Sequence, residues 1–280
     1  IGSNAKPLCI AYIGSTLVTK SLIALLEEIS LTRHLSGVSL GNLVMGGVAL
    51  ITGGGTGVGS ATAKLLAQRG WSVALNYSRS RESAEATAEA CRAAGVEAVA
   101  IQANVASDED CRRLVATTVE RLGGLDLLVN SAAATQLTSF SDMEAQNSAD
   151  LHRVFDVNVV GPYQMARAAR EALSASGRGA IVNVSSIAGQ TGSGSSIAYV
   201  VSKAALNTLT LTLARLLGPK VRVNAVLPGM IDTEWFTGNG VDAEAFAAMK
   251  QNFSENSALG QVSTAEDIAG AIIYVGVDAV

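Results

Sequence analysis

From residue 48 onward the chain alternates between two hydrophobic rhythms. Short apolar runs at Val48–Thr52, Ser72–Tyr77, Ala98–Gln102, 125–130, Ala180–Val184 and 221–226 have the length and aliphatic content of strands buried on both faces. Between them, apolar residues fall three and four apart over 57–69, 80–94, Asp108–Leu122, within 149–174 and over Ile197–Leu217, which predicts helices. Gly70, Gly95, Gly123 and Gly218 stand where helix ends favour a left-handed residue. Strand and helix in alternation imply right-handed crossovers and one parallel sheet covered on both sides, a doubly wound α/β domain. Residues 1–46 follow another pattern, with a strand predicted at 8–13, a helix over 16–29 and a loop over 37–47. They are expected to form an N-terminal extension of unassigned role, followed by a single domain over 47–280.

Composition narrows the classes. Of 280 residues, 49% are hydrophobic, 16% are charged and 28 are glycine, which suits a buried parallel sheet with many tight turns. The formal net charge is −4 and the basic residues are scattered, so no basic face points to nucleic acid. Cys9, Cys91 and Cys111 are far apart and odd in number, and His34 and His152 are the only histidines. Neither a disulfide framework nor a metal site is expected, and a reducing cytoplasm is. The most apolar stretch, 8–31, is broken by Lys20, Glu27 and Glu28, so no membrane span or signal peptide is expected.

The sharpest local signal is the turn Thr52-Gly53-Gly54-Gly55-Thr56-Gly57-Val58-Gly59, which follows an apolar strand and opens a helix. Such a turn aims main-chain N–H groups and the positive end of a helix at one place, which suits a phosphate. Glycines are needed there because a side chain would block the pyrophosphate or clash at positive φ. Gly53, Gly55, Thr56, Gly57, Val58 and Gly59 are therefore the candidate cradle of a dinucleotide, and the domain is expected to be Rossmann-like. About 20 residues beyond such a turn, an NAD-binding chain usually places a carboxylate for the ribose. Here Asn76-Tyr77-Ser78-Arg79-Ser80-Arg81 carries none before Glu82, and Arg79 or Arg81 could pair with a 2′-phosphate. That points to NADP(H), with Ser78, Arg79 and Ser80 at the phosphate. A second pattern, Gly37-Val38-Ser39-Leu40-Gly41, matches the nucleophile turn of serine hydrolases but lacks the strand before it and the helix after it, so Ser39 is taken as a chance match.

The other strand ends carry Asn130-Ser131-Ala132-Ala133, whose small residues let the chain pass close to an adenosine ribose, and Ser185-Ser186. Further on, Tyr199 and Lys203 stand four apart on a predicted helix and share one face. An ammonium beside a phenol favours phenolate and lowers its pKa, giving a group that can donate a proton to a carbonyl or take one from an alcohol.

Together, Thr52-Gly53-x-x-x-Gly57-x-Gly59, Leu127-Leu128-Val129-Asn130, Asn158-Val159-Val160-Gly161, Ser186, Tyr199-x-x-x-Lys203 and Val223-Asn224-Ala225-Val226-x-Pro228-Gly229 closely resemble the short-chain dehydrogenase/reductase family, in its order and spacing over roughly 47–275. The sequence looks nearest to 3-oxoacyl acyl-carrier-protein reductases. The resemblance implies a tetrad in which Tyr199 exchanges the proton and Lys203 lowers its pKa and binds the nicotinamide ribose. Ser186, 13 residues before Tyr199, would hydrogen-bond the substrate oxygen, and Asn158 would hold a water that relays protons to Lys203. It also implies contacts to the cofactor from Asn104 and Val105 at the adenine, Asn130 and Ala132 along the ribose, and Pro228, Gly229, Ile231 and Thr233 at the nicotinamide. The implied activity is NADP-dependent reduction of a ketone or 3-oxoacyl thioester by a homodimer or homotetramer. The alternative is an inactive NADP-binding sensor or interaction protein of the same fold.

The sequence departs from the family pattern in four places. Asn104 stands where the family has Asp, and Ser131 and Ala133 replace an Asn and a Gly. The family's final edge strand is missing after the last helix, and residues 1–46 have no counterpart; 8–13 is a candidate for the vacant place. Substrate choice is expected from 232–260, a lid with a helix near 243–250. Its Trp235, Phe236, Met249 and Phe253 suit an apolar wall or a local core.

Overall fold

The computed structural model describes residues 10–13 and 46–279. Its strands are β1 (Ile10–Ile13), β2 (Val48–Thr52), β3 (Ser72–Tyr77), β4 (Ala98–Gln102), β5 (Leu127–Asn130), β6 (Ala180–Val184) and β7 (Arg222–Pro228). They form one parallel sheet in the order β1-β7-β6-β5-β2-β3-β4. The six strands expected from the apolar runs all form, although β5 starts two residues later and β7 runs two residues further than the pattern suggests.

The helices are α1 (Gly57–Gln68), α2 (Arg81–Ala93), α3 (Asp108–Leu122), α4 (Ser148–Phe155), α5 (Gly161–Ala175), α6 (Ala188–Thr191), α7 (Ile197–Leu217), α8 (Ala243–Asn256) and α9 (Ala265–Ile273). Because strand side chains alternate, each central strand feeds two cores. Ala49, Ile51, Leu127, Val129 and Val182 meet Leu66 of α1 and Ile268 and Ile272 of α9. Leu50, Leu128 and Ile181 point the other way, onto Leu114 of α3, Met165 and Leu173 of α5 and Leu213 of α7. Each fully buried side chain of this size contributes about 1.5–3 kcal/mol of transfer free energy, which is why continuous apolar runs, not alternating ones, encode these strands. α7 is long and apolar enough to cross a membrane by length and composition. Here it flanks the sheet and buries Leu206, Thr210 and Leu213.

Several local expectations meet corrections. Gly70, Gly95 and Gly123 do adopt positive φ at helix ends. Gly218 also caps its helix, α7, but in an extended conformation with φ of −66° and ψ of 150°, as the following Pro219 disfavours the helical region at the residue before it. The stretch 149–174 is not one helix. A π-helical turn at Asp156–Val160 separates α4 from α5. The lid helix extends six residues past the stretch expected, to Asn256.

The place beside β7 that the resemblance left without a strand is taken by β1, which lies parallel with Ile10 opposite Ala225 and Ile13 opposite Pro228. The rest of the 8–13 stretch, the helix expected over 16–29 and the Ser39 pattern lie outside the described residues.

Candidate active site

The carboxyl ends of the strands open into one cleft of about 1380 Å³. At one end sits the glycine turn. Gly53 and Gly57 have φ of 64° and 47°, conformations that favour glycine. At Gly59 the reason is space: a Cβ would come within 2.2 Å of the Gly53 carbonyl oxygen. Thr52 holds the turn against the next strand end, its hydroxyl accepting from the N–H groups of Ser131 and Ala132, each at 3.1 Å. Thr56 precedes α1 in extended conformation and makes no side-chain cap, which leaves the first-turn amides open to a ligand. A cradle that a Cβ would fill, at an uncapped helix N-terminus, fits the phosphates of a dinucleotide.

Gly53, Thr56, Gly57, Val58, Ser78, Arg79, Ser80, Asn104, Val105 and Ala132 all line this end. Gly55 does not: it lets α2 approach at Ala84. Arg81, in the first turn of α2, is also outside the lining. Asn76 is fixed by donating from Nδ2 to the Ala103 carbonyl at 2.9 Å, which ties β3 to the end of β4 and leaves Ser78 and Arg79 exposed at the rim. Asn104 accepts from the Ala106 N–H at 3.1 Å. Asn130 lies beneath the floor. Its Nδ2 donates to Asn183, which donates in turn to Thr210 of α7, both at 2.9 Å. This buried chain fixes α7 on the sheet, and α7 carries Tyr199 and Lys203.

In the middle of the cleft Tyr199 and Ser186 line one wall, and the Ser186 hydroxyl donates to the Pro228 carbonyl at 3.5 Å. Ser186 also accepts from the Ala188 N–H at 3.1 Å. Its neighbour Ser185 is turned away and spent on structure, donating to Asn207 at 2.6 Å. Lys203 is buried, with Nζ 5.4 Å from the Tyr199 ring centroid and donating to the Val184 carbonyl at 2.8 Å. Burial pushes Lys203 down to about 8. The expected lowering of the Tyr199 pKa does not appear. Burial raises it to about 12, and the nearby Ser186 hydroxyl only partly opposes the rise. The ammonium donates to the Val184 carbonyl and lies over the Tyr199 ring.

Asn158 sits in the π-helical turn, behind the cleft wall. Its Oδ1 accepts from the Ala134 N–H at 2.7 Å, and its Nδ2 donates to the Ala134 carbonyl and to Ser202, each at 2.9 Å. Both amide hydrogens and one lone pair of the oxygen are therefore engaged within the protein. Ser202, which the sequence reading passed over, completes this clamp by donating to the Tyr199 carbonyl at 2.7 Å.

The far end is closed by the segment after β7. Pro228, Gly229, Ile231 and Thr233 line the cleft, and Thr233 faces Gly57 across it. Trp235, Phe236, Met249 and Phe253 line it too. Phe236 also stacks on Phe246 of α8 with centroids 5.4 Å apart, so the residues serve as wall and local core together.

A family model described as short chain dehydrogenase matches residues 47–242. A protein assigned as ketoacyl reductase 2 of the granaticin polyketide synthase of Streptomyces violaceoruber is 41% identical over 226 residues, 81% of this chain and 88% of that protein. A 3-oxoacyl acyl-carrier-protein reductase of Staphylococcus epidermidis is 34% identical over 231 residues, 82% of this chain and 91% of the other. Among solved structures, one assigned as a short-chain dehydrogenase/reductase from Burkholderia xenovorans gives a TM-score of 0.77 at 38% identity, covering 84% of this chain and 92% of that one. An NAD+-bound xylitol dehydrogenase gives 0.72 at 30% identity, covering 81% and 91%. With the glycine cradle and the Ser186–Tyr199–Lys203 cluster on one cleft, the chain belongs to the short-chain dehydrogenase family, whose members are oxidoreductases that use nicotinamide cofactors.

Proposed function

We propose that the chain is an NADP-dependent reductase that converts a ketone or 3-oxoacyl thioester to the alcohol, with Tyr199 as proton donor. The observation that carries this reading is that Ser186, Tyr199 and Lys203 line the same cleft as Arg79 and the uncapped end of α1. NADPH, when bound, supplies the hydride. Ser186 donates a hydrogen bond to the carbonyl oxygen as negative charge develops there, and Tyr199 gives its proton to the same oxygen. The phenol, at about 12, is protonated at neutral pH, the form a reduction starts from. Lys203 places positive charge under the ring and can hold the nicotinamide ribose. The curated relatives named as ketoacyl and 3-oxoacyl reductases support this substrate class.

For the cofactor, the exposed Arg79 after β3 supports NADP, since a guanidinium pairs with a 2′-phosphate by charge-assisted hydrogen bonds. The xylitol dehydrogenase is bound to NAD+, so the choice rests on this position. We place the enzyme in the cytoplasm as a homodimer or homotetramer. Exposed Val160 and Tyr163 near the start of α5 and Val201 and Leu216 of α7 support self-association.

The test follows NADPH or NADH absorbance with a panel of ketones and 3-oxoacyl thioesters. NADPH-dependent turnover is expected, and Tyr199→Phe should lower kcat by about 10²–10⁴. A Tyr199→Phe enzyme within threefold of wild type rejects the proton-transfer role. Tight NADPH binding with no turnover of any substrate favours the non-catalytic sensor.

A further inference from the structure

The main-chain donors of the glycine turn are not equally free. Gly54 gives its N–H to the Asn76 carbonyl at 3.0 Å, which ties the turn to β3. The Thr56 N–H has no partner among the described residues, and Thr56 is exposed and lines the cleft. Where that N–H points depends on the plane of the peptide joining Gly55 to Thr56. Glycine at 55 leaves this plane free to rotate, since no Cβ restricts the torsion before it. A group outside the turn must hold it.

That group belongs to a short chain of hydroxyls between two helices. Thr87, buried in the middle of α2, donates from Oγ1 to the Gly55 carbonyl at 3.2 Å. The same Oγ1 lies 2.9 Å from Oγ of Ser60, buried in α1. A carbonyl only accepts and a hydroxyl carries one proton, so the order is fixed: Ser60 donates to Thr87, and Thr87 to Gly55. The approach of α2 that allows this needs glycine at 55, where a Cβ would come within 2.9 Å of the Ala84 nitrogen. In a trans peptide the carbonyl and the N–H point in opposite directions. With the Gly55 carbonyl drawn onto α2, the Thr56 N–H is turned away from α2.

We propose that Thr87, which does not line the cleft, is a positioning residue for the cofactor: through the Gly55 carbonyl it sets the Gly55–Thr56 peptide so that the Thr56 N–H faces a phosphate of the bound dinucleotide. The inference rests on the cofactor cradle of the proposed function and holds for NADPH and NADH alike. Without the Thr87 hydroxyl the buried Gly55 carbonyl loses its donor, and rotation of the peptide towards water relieves that loss while turning the N–H aside. A hydrogen bond to phosphate is charge-assisted, so its misdirection shows directly in affinity.

The experiment measures dissociation constants for NADPH and NADH by nucleotide fluorescence, together with melting temperature, in wild type, Thr87→Val, Thr87→Ala, Thr87→Ser and Ser60→Ala. Steady-state kinetics adds kcat and KM for the nucleotide. Thr87→Val keeps the shape without the donor. It should bind both nucleotides about tenfold more weakly, the size of one hydrogen bond to a charged group, with nucleotide KM raised alike and kcat within about twofold. Thr87→Ala, the second variant without a donor, should show the same loss. Thr87→Ser restores the donor and should bind within about threefold of wild type. Ser60→Ala removes a hydroxyl from the same buried contact but leaves Thr87 on Gly55, so it should melt earlier and still bind within about threefold. Unchanged affinity in Thr87→Val and Thr87→Ala, no rescue by Thr87→Ser, or an equal loss in Ser60→Ala overturns the proposal. Preference of the wild type for NADH rejects the NADP reading, and binding without turnover of any ketone rejects the reductase reading; in both cases the variant affinities still decide the role of Thr87. A wild type that binds neither nucleotide overturns the proposal and the proposed function together.

Discussion

At the cofactor end of the cleft the chain approaches its ligand with main chain, whereas at the substrate end it does so with side chains. The first end is built on strand termini. Gly59 sits against the Gly53 carbonyl, and Thr52 clamps the turn to Ser131 and Ala132. The second end is a segment tied back at few points: the Asp232 N–H donates to the Ser263 carbonyl at 2.9 Å, and Lys250 of α8 meets Asp232 at 3.0 Å. Main chain at close quarters demands particular residues, because one added carbon is an obstacle. An apolar wall demands mainly volume, which Trp, Phe, Met and Leu can all supply. The rigid end therefore fixes the chemistry common to the family, and the looser end is free to set the substrate.

The contrast can be broken most severely at Gly59. Gly59→Ala should destabilise the fold by about 1–3 kcal/mol through overpacking against immovable backbone, and should weaken NADPH binding with it. Calorimetry and nucleotide fluorescence check this; wild-type values in both would mean the turn can yield. Next in size, Arg79→Asp should cost about 10- to 100-fold in kcat/KM with NADPH while sparing NADH, as expected for a lost charged hydrogen bond. Equal losses with both cofactors would remove Arg79 from the 2′-phosphate.

A smaller effect follows from Lys203, whose burial lowers it from 10.5 to about 8. In the free enzyme its charge is lost as pH rises through about 8, so kcat/KM for reduction should decline several-fold from there; a flat profile to pH 9.5 would contradict it. The effect on stability has the opposite sign. Between about 8 and 10.5 the unfolded chain binds more protons at this lysine, so its contribution to stability rises with pH across that window. Tyr199, raised to about 12 from 10, reverses the trend above pH 10. The smallest change is Lys250→Ala. The half-exposed pair with Asp232 is worth about 0–1 kcal/mol, so melting should barely move while KM for the ketone rises a few-fold. A large loss of melting temperature would show that the lid belongs to the rigid frame.

What could be foreseen from the sequence follows the same division. Gly53, Gly57 and Gly59 announce themselves because no other residue fits, and Tyr199 with Lys203 because helical spacing puts both on one face. The six strands after residue 47 were visible in their apolar runs, most of whose side chains are buried, with the edge strand β4 the most open. The π-helical turn was not, because 149–174 carries no proline or glycine pair that would mark an interruption before Gly161. Gly218 marks its helix end correctly, but the following Pro219 makes the cap extended and not left-handed. The Tyr199 pKa was misjudged because residue spacing gives proximity to Lys203 but neither the direction of the ammonium nor the extent of desolvation. Ser202, Thr87 and Ser60 gave no signal, since a hydroxyl acquires meaning only from partners far away in the chain.

The wide turn at Asp156–Val160 has a consequence for phase. One extra residue in a turn rotates everything beyond it by about 100° around the helix axis. α4 lies against α7, while α5, past the turn, lies against α3 and lays Met165, Ala169 and Leu173 on the sheet. Deleting one residue would make a single regular helix, but either Asn158 would swing away from Ala134 or the Met165 stripe would swing off the sheet. This segment should thus accept many substitutions more readily than any change in its length.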